Sequence, residues 1–276
     1  MKRSLVGVVV FTFTASLGFA QESTSSGVGS SRQIAKYLSN PVSEVISIPV
    51  QFNYDENIGI DDQGSKWTTN IQPVVPIPMG RQWSVISRTI LPVINQKDIA
   101  PGSGQQSGTG DLLQSFFFSY NPKGPSTSDI IWGVGPAISA PTASDELLGS
   151  EKWGAGPTFV VLQQLDQMTY GLLANRIWSF AGDEDRETVD VTFAQPFFAY
   201  ITPDAWTYAL NFETTYDGES EEWSVPINFN VSKVLNFNQV PIQLGAGLRY
   251  WIDTPETGPE DLGYRATVTF LLPQVR

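Results

Sequence analysis

The sequence predicts an all-β protein, a transmembrane antiparallel β-barrel of about 12 strands with short periplasmic turns and long acidic extracellular loops. Three observations predict it. The first is alternation. In WTYALNFETTY, Trp206, Tyr208, Leu210, Phe212, Thr214 and Tyr216 share one face, and Thr207, Ala209, Asn211, Glu213 and Thr215 share the other. Successive strand side chains point to opposite sides, so a greasy face and a polar face lie back to back. The second is the rhythm of the connections. PMGRQ, NPKGPSTSD, LDQ, TPDA and NFNQ alternate with the longer DENIGIDDQGSK, QKDIAPGSGQQSGTGD, PTASDELLGSEK, AGDEDRETVD, DGESEE and DTPETGPED. The third is tryptophan: all 8 fall near predicted strand ends. Trp83, Trp132 and Trp206 sit at the short-turn side, and Trp67, Trp153, Trp178, Trp223 and Trp251 at the long-loop side. Indole prefers the membrane–water interface, so these are read as two aromatic girdles.

Taken in order, the chain opens with MKRSLVGVVVFTFTASLGFA. Lys2 and Arg3, an apolar run and Gly18-Phe19-Ala20 read as a signal peptide over 1–20. The run is too short for a spanning helix of ~20 residues. Residues 21–44 read as a periplasmic tether with a short helix over RQIAKYLSN, stopped by Asn40-Pro41, lying either on the periplasmic surface or inside the barrel as a plug. Residues 45–276 are assigned to the barrel. Its strands are placed at 45–54, 67–78, 83–94, 112–121, 130–140, 153–164, 168–179, 190–201, 205–216, 223–234, 240–251 and 262–272. Most are near the ~9–11 residues that a tilted strand needs to cross a bilayer. Prolines such as Pro136 and Pro196 fall inside strands and remove ladder donors, which keeps a soluble β-sandwich or jelly roll as an alternative.

Composition excludes several chemistries. The chain has no Cys and no His, so disulfides, thiolate sites and histidine-based catalysis are absent. Its 28 acidic and 16 basic residues give a net charge of −12, which the loss of Lys2 and Arg3 takes to −14. That argues against nucleic acid as a partner. The six long connections hold 22 of the 28 acids, making one negative rim. DEDRETVD lacks the spacing of an EF-hand loop, and weak Ca²⁺ or Mg²⁺ bridging to lipopolysaccharide is its functional alternative to a solvated loop. No cofactor or metal site is expected. The Gly-rich stretches GVGSS and GSGQQSGTG lack a phosphate-loop lysine. An enzyme is not expected: without His, only a carboxylate pair such as Asp183 with Asp185 or Glu221 with Glu222 could serve, and both read as solvated loops.

Charged residues within strands are the site candidates. Arg88, Arg176, Glu213, Arg249 and Arg265 are assigned to the lumen, because an arginine facing lipid at the midplane costs ~2–4 kcal/mol. Arg249 stands opposite the face of Leu244, Ala246, Leu248 and Tyr250, and Arg265 opposite that of Tyr264, Ala266, Val268 and Phe270. Two readings stay open: a charged constriction that selects permeants, or an internal ion-pair network that fills the lumen.

Several runs, NIQPVVPIP, WSVISRTILPVI, GTGDLLQSFFFS, WGVGPAISAPTASDELLGSEKWGAGPT, YGLLANRIWSFAGD, WSVPINFNVSKV, QLGAGLRYW and GPEDLGYRATVTFLLP, cover nearly all of the mature chain. They resemble a family of Gram-negative outer-membrane proteins labelled MetA-pathway of phenol degradation, transporter or, misleadingly, neuromedin U. The resemblance implies a bacterial outer-membrane location and passage of small, aromatic or hydrophobic, compounds. It supplies no catalytic residue. The expected protein is a monomeric channel or facilitator in contact with outer-membrane lipid and lipopolysaccharide, its permeant unknown. The alternative is a closed barrel with a structural or surface-binding role and no conductance.

Overall fold

The computed structural model describes residues 25–120, 130–237 and 240–272. The predicted signal peptide over 1–20 and the turn at 121–129 lie outside the described residues. One helix, α1 (Ser25–Leu38), precedes 15 strand segments. These are β1 (Ile46–Ile58), β2 (Gly64–Ile71), β3 (Val74–Met79), β4 (Trp83–Lys97), β5 (Gln105–Thr109), β6 (Leu112–Tyr120), β7 (Ile130–Ala140), β8 (Lys152–Leu165), β9 (Met168–Gly182), β10 (Asp190–Ile201), β11 (Trp206–Phe212), β12 (Thr214–Asp217), β13 (Glu222–Phe237), β14 (Val240–Asp253) and β15 (Leu262–Leu272). Three pairs of segments, β2 with β3, β5 with β6 and β11 with β12, are single staves broken once, which leaves 12 antiparallel staves. β15 pairs with β1, Leu272 opposite Ile46 and Tyr264 opposite Tyr54, so the sheet closes on itself. Closure satisfies every stave in a medium that offers no water to a free edge. No helix among the described residues is long and apolar enough to cross a membrane.

The three breaks share one cause. At each, a proline on the neighbouring stave accepts a hydrogen bond that it cannot return. The N–H of Gln72 donates to the Pro49 carbonyl at 2.8 Å, that of Gly110 to Pro92 at 2.9 Å, and that of Glu213 to Pro226 at 3.2 Å. An antiparallel hydrogen-bonded rung needs both N–H groups, and proline has none. The stave therefore loses its regular ladder there while keeping its register, so Gln72 and Glu213 still face inward by ordinary alternation.

Pro136 and Pro157 are accommodated differently. They stand opposite one another on β7 and β8. The ladders on their outer sides skip: β6–β7 between Ser115/Ala137 and Phe118/Val134, and β8–β9 between Ala155/Trp178 and Thr158/Asn175. Two glycines let the backbones close up at these skips. A Cβ on Gly156 would lie 1.8 Å from the Arg176 carbonyl oxygen, and one on Gly135 1.9 Å from that of Phe116. Backbone oxygens cannot swing aside as a side chain would. Gly156→Ala is therefore expected to lower stability by about 1–3 kcal/mol, read as a lower urea midpoint; an unchanged midpoint would contradict the close approach.

The exterior is apolar between its two rims. Phe52, Val134, Phe159, Phe198, Leu210, Phe229, Leu248 and Phe270 are all exposed on it. Seven of the eight tryptophans share this face: Trp67, Trp83, Trp132, Trp153, Trp178, Trp206 and Trp223. Several stack on aromatic neighbours, Tyr54 on Trp67 at 4.7 Å and Tyr216 on Trp223 at 4.7 Å at one end, and Trp83 on Tyr120 at 4.9 Å at the other. A continuous apolar belt between aromatic rims suits a barrel standing in lipid and would be costly in water.

The interior is two-sided. One wall is apolar, where Val74, Ile86, Phe117, Val160, Leu162 and Leu173 pack around Val42. The other wall is polar and carries Asn53, Asp55, Asn228 and Arg265. Val42 belongs to the segment that joins α1 to β1, so the N-terminal segment enters the barrel. Ile34, Ala35 and Leu38 fall on one helical face and pack on Ile201 and Val234 near the short turns. Arg32 pairs with Asp166 at 2.8 Å, Ser39 bonds Thr169 at 2.8 Å, and Gln164 donates to the Lys36 carbonyl at 2.9 Å. α1 starts at Ser25, inside the stretch expected as tether, and ends where the Asn40 side chain accepts the Val42 N–H at 2.9 Å. The helix thus sits across the short-turn mouth.

Candidate functional site

Glu213 is the centre of the site. Glu213 lies between β11 and β12, with its side chain in the lumen. Its carboxylate accepts two parallel bonds from Arg265, Nη1 to Oε1 at 2.9 Å and Nη2 to Oε2 at 2.8 Å. Such bidentate charge-assisted pairs are among the strongest hydrogen-bonded contacts. The third arm of Arg265, Nε, donates to Oδ1 of Asn53 at 2.7 Å. Arg249 reaches the same carboxylate at 3.7 Å and Asp55 at 3.5 Å. Asp55 in turn accepts the indole N–H of Trp251 at 3.0 Å, and the Arg249 guanidinium lies 4.4 Å from the Trp251 ring. The Arg265 side chain is 2% exposed and that of Glu213 18%, so this knot is shielded from solvent on most sides.

Three cavities run in series along the lumen. The upper, about 680 Å³, lies under the long loops and is lined by Ile99, Pro101, Thr257, Lys66, Arg249, Trp251 and Glu213. The middle, about 410 Å³, is lined by polar Gln51, Gln72, Arg88 and Glu213 and by apolar Phe117, Leu173 and Phe193. The lower, about 160 Å³, is floored by Leu38, Asn40, Pro41 and Ser43. Asn70 and Glu213 line both the upper and middle cavities; Gln72, Arg88 and Gln195 line both the middle and lower ones. Above the upper cavity the loop over 141–151 folds back, with the Leu147 carbonyl accepting from Gln96 at 3.0 Å and Leu148 buried.

Of the five charged residues singled out in the sequence, four face the lumen: Arg88, Glu213, Arg249 and Arg265. Glu213, Arg249 and Arg265 meet in one knot. Arg88 stands apart and donates to Oε1 of Gln72 at 3.0 Å. Arg176 faces the other way. It shares the outward parity of Tyr170 and Trp178, lies over the Trp178 ring at 5.0 Å, and makes a bidentate pair with Asp190 at 2.9 and 2.8 Å. At the rim, headgroups and a carboxylate partner make an outward arginine tolerable, whereas the ~2–4 kcal/mol cost applies at the midplane. Replacing Arg176 and Asp190 together by Leu is expected to leave conductance and ion selectivity unchanged in a planar bilayer; a shifted reversal potential would put the pair in the permeation path. Trp251 also departs from its expected place. It shares inward parity with Arg249 and serves the knot rather than the girdle.

Two residues of the knot's surroundings escaped the sequence reading. Asp55 and Lys66 fall within the connection DENIGIDDQGSK, but β1 and β2 extend further and carry both into the lumen. The signal for Asp55 was present, since Ser47, Gln51, Asn53 and Asp55 share one parity. Of the carboxylate clusters, Asp183, Asp185 and Glu221 lie in loops, while Glu222 opens β13 and Asp190 opens β10. Asp183 accepts its own turn's N–H from Asp185 at 2.9 Å, and no group of three or more acidic side chains among the described residues could hold a metal ion.

No protein-family model matches the chain, and no curated protein matches it. Among solved structures, an outer-membrane channel from Pseudomonas putida F1 superimposes with a TM-score of 0.66 at 17% identity, covering 83% of this chain and 96% of that one. A KdgM porin solved in complex with disordered oligogalacturonate gives a TM-score of 0.44 at 11% identity over 81% of this chain and 98% of that one, too distant to bear weight. The chain has the fold of the Pseudomonas channel: a closed 12-stranded barrel with a lipid-facing exterior, of the bacterial outer-membrane type.

Proposed function

We propose that the protein is a monomeric outer-membrane channel that passes small solutes by diffusion, with no chemical step. The observation that carries this reading is the line of three cavities, each sharing wall residues with the next, from the loop end to α1. A barrel of about 8 strands is filled by its own side chains, and one of about 16–18 leaves an open channel. Twelve staves with a one-sided apolar lining suit a narrow path. The Phe117 and Phe193 wall supports permeants with aromatic or hydrophobic parts. The specific association with phenol degradation rests on the sequence resemblance alone.

Charge along the path supports a selectivity test. Lys66, Arg88, Arg249 and Arg265 face the lumen against Asp55 and Glu213, so the path is net cationic beneath an acidic rim. The Debye length is about 3 Å at 1 M salt and about 30 Å at 0.01 M. High salt should screen the exposed rim and leave the lumen in control. Reversal potentials of the refolded protein are therefore expected to show anion preference at high salt, drifting toward cations as salt falls. Cation preference at every salt concentration would mean that the rim, not the lumen, sets permeation.

The second reading, a closed structural or surface-binding barrel, has its own observation: α1 fits the short-turn mouth, with Ala35 and Val42 buried. Single-channel recording separates the two. Discrete conductance steps support the channel, and a folded, inserted but silent protein supports the closed barrel.

A further inference from the structure

We infer that the middle cavity is a binding site for a small organic monoanion with an apolar body, its carboxylate or equivalent group held by Arg88. The inference deepens the channel reading and rests on it for the ligand's route.

The electrostatics of the lumen single out Arg88. Arg249 and Arg265 have Asp55 and Glu213 as counter-ions. Arg88 forms no ion pair among the described residues, and its described hydrogen-bond partner is the neutral amide of Gln72 at 3.0 Å. An amide orients a guanidinium without neutralising it. A guanidinium has five N–H donors in a planar fork, so one bond to Gln72 leaves a face free for a bidentate acceptor. Glu213 borders the same cavity, but Arg265 holds both its oxygens. An arriving anion therefore meets a cation whose nearest counter-charge, Glu213, is already shared with Arg265 and Arg249.

The opposite wall limits which anion fits. Leu173, Ile177 and Phe193, on β9 and β10, face the cavity across from Arg88, and Phe117 lines it from the neighbouring β6. An inorganic anion would leave that wall in contact with water, at a cost proportional to apolar area. A neutral hydrocarbon would cover the wall but leave Arg88 with only a share of the Glu213 charge in a poorly solvated place. A cation would be repelled. A molecule with one anionic group and a compact apolar body satisfies both walls at once. The volume of about 410 Å³ lies within the ~300–1,000 Å³ typical of small-molecule pockets. The position is informative too. Arg88 and Gln72 line the lower cavity as well, so the site stands where a permeant passes from the middle chamber toward the short-turn mouth.

Isothermal titration of the refolded full chain with benzoate, benzyl alcohol and acetate tests this directly. These probes share the charge or the ring but only benzoate has both. Benzoate is expected to bind saturably, with benzyl alcohol and acetate each weaker by about tenfold or more. Arg88→Gln should cost benzoate a similar factor, and Phe193→Ala should weaken benzoate without affecting acetate. Equal binding of benzoate and benzyl alcohol, or undiminished benzoate binding by a folded Arg88→Gln protein, would overturn the site. Should Arg88→Gln not fold, the three probes on the unaltered chain decide alone. KCl conductance measured in parallel separates the two claims. A chain that takes benzoate but stays silent keeps the site and loses the channel; one that conducts KCl but takes no benzoate keeps the channel and loses the site.

Discussion

Glu213→Gln is expected to destabilise the folded barrel by about 3–5 kcal/mol, the usual cost of removing one partner from a buried ion pair. The reason lies in what is left behind. Arg265 is almost fully buried and would keep its positive charge with only Asn53 to meet it. Arg249 would lose one of its two carboxylates and lean on Asp55 at 3.5 Å. Denaturant unfolding of the refolded barrel measures the change. The same substitution removes one of two lumen carboxylates, so any protein that still folds should show stronger anion preference. The double variant Glu213→Gln with Arg265→Gln should recover much of the lost stability, because it removes the stranded charge along with its partner. A single variant as stable as the parent would mean that water already solvates the knot.

Deleting residues 25–44 is expected to raise single-channel conductance more than any point substitution. α1 and the segment behind it occupy the short-turn mouth. They are held by the Arg32–Asp166 pair, by Gln164 on the Lys36 carbonyl and by the burial of Ala35 and Val42. The hold is modest in energy. The exposed ion pair adds ~0–1 kcal/mol, and a buried valine ~1.5–3 kcal/mol. The rest of the barrel closes without the segment, through the pairing of β1 with β15. The shortened chain should therefore still refold and insert. An unchanged conductance would locate the limiting resistance at the Glu213 knot instead.

Much of the fold was legible because a closed barrel writes itself into local patterns. The faces of ISIPVQFNY and WTYALNFETTY, the short and long connections and the end-of-strand tryptophans all follow from one requirement, lipid outside and water within. The inward set of Glu213, Arg249 and Arg265 was legible for the same reason. Arg176 and Trp251 were misassigned although parity was available for both: Arg176 shares the parity of Trp178, and Trp251 that of Arg249. Residue type, arginine inward and tryptophan outward, outweighed position.

The number of staves, their faces and the sign of the rim could be read locally, since each depends on spacings of only a few residues. Tertiary structure alone decided where the polar residues meet. Pro49, Pro92 and Pro226 leave half-made rungs, and Glu213, inward by alternation, meets arginines on β14 and β15 because the closed ring brings those staves near its own. Asp55 comes to Arg249 from about 190 residues away because β1 and β15 close the barrel. The path of α1 into the mouth was likewise undecided locally, since Ile34, Ala35 and Leu38 make a greasy face that several surfaces could cover. Only the closed ring of staves supplies the surface they bury against.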